Sequence, residues 1–220
     1  MLNYYSSEEN YIKTIFHLQG EDGNVTTNEL ADRVKTKPAS VTDMMKKLKS
    51  RKLVNYQPYK GFRLTPDGRK VALGIIRRHR LWEFFLAEKL KFKWDEVHEV
   101  AEYLEHVSSK KLVDKLDEFL GFPKFDPHGD PIPDTNGKME NSRQVNLADW
   151  PVNKPAIVCQ VVNQSTALLE LLQHKKITIG TKLEVKKKFG YDDSLEIRIQ
   201  KQLPVTISGQ LAQTIFVNHG

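Results

Sequence analysis

The sequence has a single cysteine, Cys159. No disulfide can form within the chain, which fits the reducing cytoplasm. It has no apolar run near the roughly 20 residues that a membrane span requires, so no membrane partner is expected. The first nine residues, MLNYYSSEE, lack a basic segment followed by an apolar one. They therefore do not read as a secretion signal, and the expected location is cytoplasmic. Also missing are a nucleophile elbow, a phosphate-binding loop, a dinucleotide fingerprint and a zinc-protease motif, so the chain does not read as an enzyme. Acid is nearly absent from residues 33–63, where ten lysines and arginines face only Asp43. Over residues 94–120 the bias reverses, with eight acids against Lys110, Lys111 and Lys115. The first block suits phosphate and the second suits a cation.

What is present begins with helices. Ser6 with Glu9 reads as a capping box, followed by Tyr11, Ile12, Ile15 and Phe16 at helical spacing. The run Gly20 to Gly23 breaks that helix. Thr26 with Glu29 opens a second, which buries Leu30, Ala31 and Val34. Lys35-Thr36-Lys37 is a turn, and Pro38 starts a third helix with Val41, Met44, Met45 and Leu48 inward. Two β-prone runs over 53–64, around Pro58 and Gly61, form a hairpin. A helix-turn-helix followed by a hairpin is a winged helix-turn-helix. Thr65-Pro66 opens a long helix to about Leu90, apolar enough to pack on two sides, one of them against another subunit. Residues 94–107 and 109–120 read as two more helices, the second capped by Ser109 and ended by Gly121. Residues 121–143 form a long ordered loop leading to a linker. Beyond Pro155, strands at 156–162, 182–188, 194–199 and 205–207, with a helix near 166–174, suit a small SH3-like barrel. Cys159 falls in the first of these strands and reads as core.

Two helix faces carry metal-type donors. His79 and Glu83 stand one turn apart on the long helix. His98, Glu102, Glu105 and His106 share one face of the next. Mixed imidazole and carboxylate suits a divalent ion such as Mn2+, Fe2+, Co2+ or Zn2+. The alternative is a solvated face of salt bridges. Isolated histidines, His128 among them, say nothing individually.

The third helix offers Ala39, Ser40, Thr42 and Asp43 near its start, side chains small enough to approach base edges and methyl groups. Lys37, Lys46 and Lys47 flank them as phosphate contacts. Double-stranded DNA is the expected partner.

The winged helix, the Arg-His-Arg run at 78–80, His98 through Glu105-His106, and Pro127-His-Gly-Asp-Pro-Ile-Pro133 together resemble the diphtheria toxin repressor family. The resemblance spans essentially the whole chain. It implies a repressor activated by Mn2+ or Fe2+, a homodimer on a palindromic operator, and control of metal uptake. It assigns a primary metal site to Glu102, Glu105 and His106 with Asn10 from the first helix. It assigns an ancillary site to His79, Glu83 and His98, completed from the barrel by Gln164, with Arg80 and Asp130 nearby. Asn10 stands where relatives hold a thioether or carboxylate. Glu102 stands where iron-responsive members hold sulfur. Lys13 stands where short manganese regulators hold a second carboxylate, against a closely bridged two-metal site.

The expected class is α+β multidomain. Residues 1–73 form a winged helix-turn-helix DNA-binding domain. Residues 74–143 form a helical metal-binding and dimerisation domain, and 144–220 an SH3-like, FeoA-type domain. The rival readings are a metal-independent winged-helix regulator that senses a small molecule, and a metalloenzyme.

Overall fold

The computed structural model describes residues 4–19, 23–57, 60–107, 109–140, 143–200 and 202–219. The helix break at 20–22 and the hairpin tip at Pro58 and Tyr59 lie outside them. None of the helices described is long and apolar enough to cross a membrane. Two compact units emerge. The first comprises residues 1–79, 103–113 and 133–138; the second comprises 80–102, 114–132 and 139–220.

The first unit is built on α1 (Ser6–Gln19), α2 (Thr27–Val34), α3 (Pro38–Ser50) and the strands β1 (Val54–Gln57) and β2 (Gly61–Leu64). Both halves of the Thr26–Glu29 capping box are made. Lys35 turns the chain in the left-handed region, and Pro38 opens α3. Ile12, Ile15, Leu30, Val41, Met45 and Leu48 are fully buried and hold the three helices around one core. At about 2 kcal/mol for each large aliphatic side chain removed from water, this packing fixes how α3 sits on α1. The hairpin is antiparallel, Val54 opposite Leu64, and Val25 bridges to Phe62. Gly61 takes φ +104 where any Cβ would overlap the Val25 carbonyl oxygen.

The start of α1 differs from expectation. Ser6 is the first helical residue, and the amide of Tyr5 donates to Glu8 at 2.9 Å. Glu9 is thereby released from capping and serves elsewhere.

A long helix, α4 (Pro66–Glu88), begins in the first unit and ends in the second. Thr65 caps it through the Gly68 amide. Leu73, Ile75, Ile76, Leu81 and Leu86 are all buried within the chain itself. Val71, Trp82, Phe84 and Phe85 on the same helix are only half-buried. Helices α5 (Val97–Val107) and α6 (Lys110–Leu120) carry exposed apolar side chains at Tyr103, Leu112 and Phe119.

The second unit carries an antiparallel sheet in the order β3-β8-β4-β5-β6-β7. Its strands are β3 (Val145–Asn146), β4 (Pro155–Val161), β5 (Lys182–Lys188), β6 (Leu195–Ile199), β7 (Val205–Ile207) and β8 (Ile215–Asn218). Helices α7 (Thr166–His174) and α8 (Gly209–Ala212) complete it. Strands β3 and β8 and helix α8 were not expected from the sequence. Trp150, Val158, Leu169, Leu172, Val185 and Ile215 centre its core. Cys159 does not join that core. A register shift between Val158 and Gln160 leaves it half-buried, with Sγ 3.4 Å from the Phe216 carbonyl oxygen.

Candidate functional site

In the first unit, α1 presents four polar side chains within two turns. Glu9 accepts from Arg78 Nη2 at 2.6 Å, and its other oxygen lies 2.7 Å from His106 Nδ1. A carboxylate can only accept, so Nδ1 of His106 carries the proton. In the neutral ring this leaves the lone pair on Nε2, which lies 3.6 Å from Glu105 Oε1. A carboxylate holding one imidazole nitrogen while the other faces a second carboxylate is the usual support of a metal-binding histidine. Asn10 Oδ1 is buried with no hydrogen-bond partner. Burying an amide oxygen unpaired costs about 1–3 kcal/mol, so its presence calls for a ligand.

Glu105 is fully buried against His79 and Lys13. His79 Nδ1 is 2.7 Å from Oε2, and Lys13 Nζ is 2.7 Å from Oε1. Burial pushes its carboxyl up, but the His79 bond and charge and the Lys13 ammonium outweigh this and hold it below the ordinary carboxylate range.

In the second unit a different cluster forms, which sequence reasoning missed. Glu83, Asp126 and His128 are all buried, and one donor atom of each lies within 4.8 Å of the other two. His128 Nε2 is 2.9 Å from the Trp94 carbonyl oxygen. A carbonyl only accepts, so Nε2 carries a proton, which in the neutral ring leaves the lone pair on Nδ1. That Nδ1 has no hydrogen bond and lies 4.0 Å from Glu83 Oε2. Burial pushes the Asp126 carboxyl well up, and the Glu83 and Asp130 charges add to it against the pull of Arg80. The cluster is short of positive charge, which a divalent ion on two carboxylates and one imidazole would supply. His98 joins from α5, its Nδ1 3.1 Å from Glu83 Oε1 and its Nε2 3.8 Å from Glu102.

The loop at 126–131 is held by local chemistry. Asp126 Oδ1 accepts from the amides of His128 and Asp130, an Asx turn. Gly129 at φ +86 lies against β4, and the Val161 amide donates to the His128 carbonyl. Arg80 donates to the Pro131 carbonyl and faces both Asp126 and Asp130. Gln160 and Gln164 each donate a side-chain N–H to Asp130, at 2.5 and 2.7 Å. Gln164 thus has its amide nitrogen committed, leaving Oε1 as its only donor atom for a cation. The signal that could have found this cluster was the Asp-Pro-His spacing at 126–128 beside a glycine loop.

Lys37 at the N-cap of α3, and Ala39, Ser40, Thr42, Asp43, Lys46 and Lys47 on it, are all exposed. The hydroxyl of Thr42 donates to the Pro38 carbonyl, and Lys46 pairs with Asp43. Lys47 is anchored as well as exposed. It lies 3.2 Å from Glu8 and over the Tyr5 ring, while Arg51 Nη1 is 3.1 Å from the same carboxylate. Glu8 is fully buried and ties α1 to the far end of α3.

Family models match three stretches. Residues 4–62 match the N-terminal DNA-binding domain of iron-dependent repressors, 65–134 their metal-binding and dimerisation domain, and 145–219 the FeoA domain. The iron-dependent repressor IdeR of Mycobacterium leprae (strain TN) is 28% identical over 173 residues, covering 76% of this chain and 74% of its own. A solved manganese-dependent transcriptional repressor in complex with manganese is 31% identical. It covers 96% of this chain and 98% of its own, at a TM-score of 0.85. ScaR with bound Cd2+ is 29% identical and covers 96% of this chain and 99% of its own, at 0.82. With every segment matched in order, and a relative above 30% identity over nearly its whole length, the chain belongs to the diphtheria toxin repressor family of iron- and manganese-dependent transcriptional repressors.

Proposed function

We propose that this protein is a cytoplasmic, DNA-binding transcriptional repressor activated by Mn2+ or Fe2+, acting as a homodimer on a palindromic operator that controls metal uptake. Its work divides among residues 1–73 for DNA, 74–143 for metal and dimerisation, and 144–220 as the SH3-like part. The observation that carries the reading is the buried, unpartnered Oδ1 of Asn10. It lies on the helix whose Glu9 orients His106 and whose Lys13 holds Glu105.

The primary ligands in this reading are Asn10, Glu102, Glu105 and His106. The ancillary ligands are His79, Glu83 and His98, with Gln164 through its amide oxygen. The Glu83, Asp126 and His128 cluster adds two donors to that set. A bound divalent ion would supply positive charge, fixing α1 to the helix that carries Glu105 and His106. Oxygen and imidazole donors without thiolate suit Mn2+ and Fe2+. Glu9 holds the His106 ring in register, and Glu8 carries the position of α1 to α3. Fixing the reading helix before it meets DNA lowers the ordering cost of binding. The exposed Tyr103, Leu112 and Phe119 support a dimer contact on α5 and α6.

The test is anisotropy of a labelled duplex from the gene's own upstream region, with Mn2+, with anaerobic Fe2+, or with chelator. Binding should need metal and be lost in His106→Ala. Equal binding in chelator would overturn the reading in favour of a metal-independent regulator.

A further inference from the structure

Glu105, a proposed ligand, already holds a cation from another helix. Lys13 Nζ lies 2.7 Å from its Oε1, the oxygen that His106 Nε2 faces at 3.6 Å. Both ends of the pair are sheltered, the lysine side chain at 13% exposure and the glutamate at 0%. A pair this sheltered is poorly screened, and removing one partner strands the other charge. Lys13 also follows Glu9 by one helical turn on α1, so the two face neighbouring positions 105 and 106 of α5 together. The ammonium therefore sits at a ligand oxygen from the side that presents Asn10 and Glu9.

We propose that Lys13 is a resident cation of the Glu105–His106 site, one that an incoming divalent ion must displace and that thereby sets the metal concentration at which the site fills. The inference rests on the reading of this site as a metal site and specifies its threshold. In the metal-free chain the Lys13 ammonium and the His79 imidazole both face the buried carboxylate. A divalent ion on the same oxygen meets the ammonium as a like charge at short range in a poorly screened site. Filling the site therefore weakens or breaks the Lys13–Glu105 pair, and that cost is subtracted from the metal affinity. Arginine at this position would keep the charge. Glutamine would keep a neutral donor of shorter reach, and methionine only the apolar stem.

The experiment uses the full-length, metal-free chain. Mn2+ affinity and stoichiometry are read by competition with a fluorescent chelator, at fixed pH and ionic strength. The chains compared are wild type, Lys13→Gln, Lys13→Met and Lys13→Arg. Thermal unfolding in excess chelator is recorded alongside. The neutral variants should bind Mn2+ about tenfold more tightly or better, since a charge-assisted bond to a buried acceptor is no longer broken. Their stoichiometry should match wild type, and in chelator they should unfold at lower temperature. Lys13→Arg should stay near wild type in both. If wild type binds Mn2+ and the folded neutral variants bind it equally or more weakly, Lys13 is a structural brace and the proposal fails. If the neutral variants bind and wild type does not, the proposal holds in its strongest form. If none binds, the metal reading itself falls, and the proposal with it.

Discussion

Replacing Gly129 by alanine separates backbone strain from a close approach. Gly129 lies at φ +86, and a Cβ there would overlap the carbonyl oxygen of Cys159 and come within 2.8 Å of Gln160 Cα. Gly121 is the natural control, since it lies at φ +76 with nothing within 4 Å of a Cβ. Both substitutions meet the left-handed penalty, about 1–2 kcal/mol. Only Gly129→Ala must also lift the 126–131 loop from β4. That breaks the bond from the Val161 amide to the His128 carbonyl, at about 1–3 kcal/mol for a buried group left unpaired. The expected totals are about 2–5 kcal/mol for Gly129→Ala and about 1–2 for Gly121→Ala. In a chain of this size, the larger loss lowers the midpoint of thermal unfolding by roughly 4–20 °C. The loop carries Asp126 and His128, so Gly129→Ala should also lose Mn2+ bound at the Glu83 cluster while keeping that bound at Glu105 and His106. Differential scanning calorimetry and isothermal titration on both variants give the comparison. Equal destabilisation of the two would refute the close-approach argument.

Three further outcomes follow from the first unit. Glu8→Ala should cost about 1–3 kcal/mol, because Lys47, Arg51 and the Tyr5 amide lose one buried acceptor together, and calorimetry reads it directly. On α3, Lys46→Ala should weaken all duplexes alike and flatten the salt dependence, whereas Ser40→Ala should change which duplex is preferred; anisotropy across salt and sequence tells them apart. In chelator, Glu105 stabilises the fold above its ordinary carboxyl value of 4.5 and loses that contribution as pH falls through its lowered one. The stability gap between wild type and Glu105→Gln should therefore be full near neutrality and close in acid, as followed by thermal melts across pH.

Local rules carried the reading where the partners are local. The Thr26–Glu29 box, Pro38, the Thr65 cap, Ser109 and Gly121 each act within a few residues, and each is found. Strand β5 and helix α7 were placed to the residue because their apolar periods are complete, and β7 was placed as well. Strand β3 has two residues, too few for a period, and forms by pairing with β8. Cys159 was misplaced because a bulge shifts the alternation by one. The capping of α1 could not be settled locally, since Glu8 and Glu9 both stand within reach of its start. Tertiary partners decided it, and those of Glu9 lie 69 and 97 residues away. Separation along the chain likewise hid the partnership of Glu83 with Asp126 and His128.

The first helix shows why so few residues suffice to join two functions. Glu8, Ile12 and Ile15 lie along one stripe of α1, and Glu9 and Lys13 along the next. The first stripe is buried against the core that holds α3, with Glu8 on Lys47 and Arg51 at the end of the reading helix. The second stripe meets Arg78, His106 and Glu105. The stripes differ by one residue, or about 100° of rotation. The helix between them is 14 residues long with Ile12 and Ile15 fully buried, and close-packed interiors transmit displacement rather than absorb it. A rotation that follows a change at Lys13 or Glu9 must therefore move Glu8, and through it the end of α3.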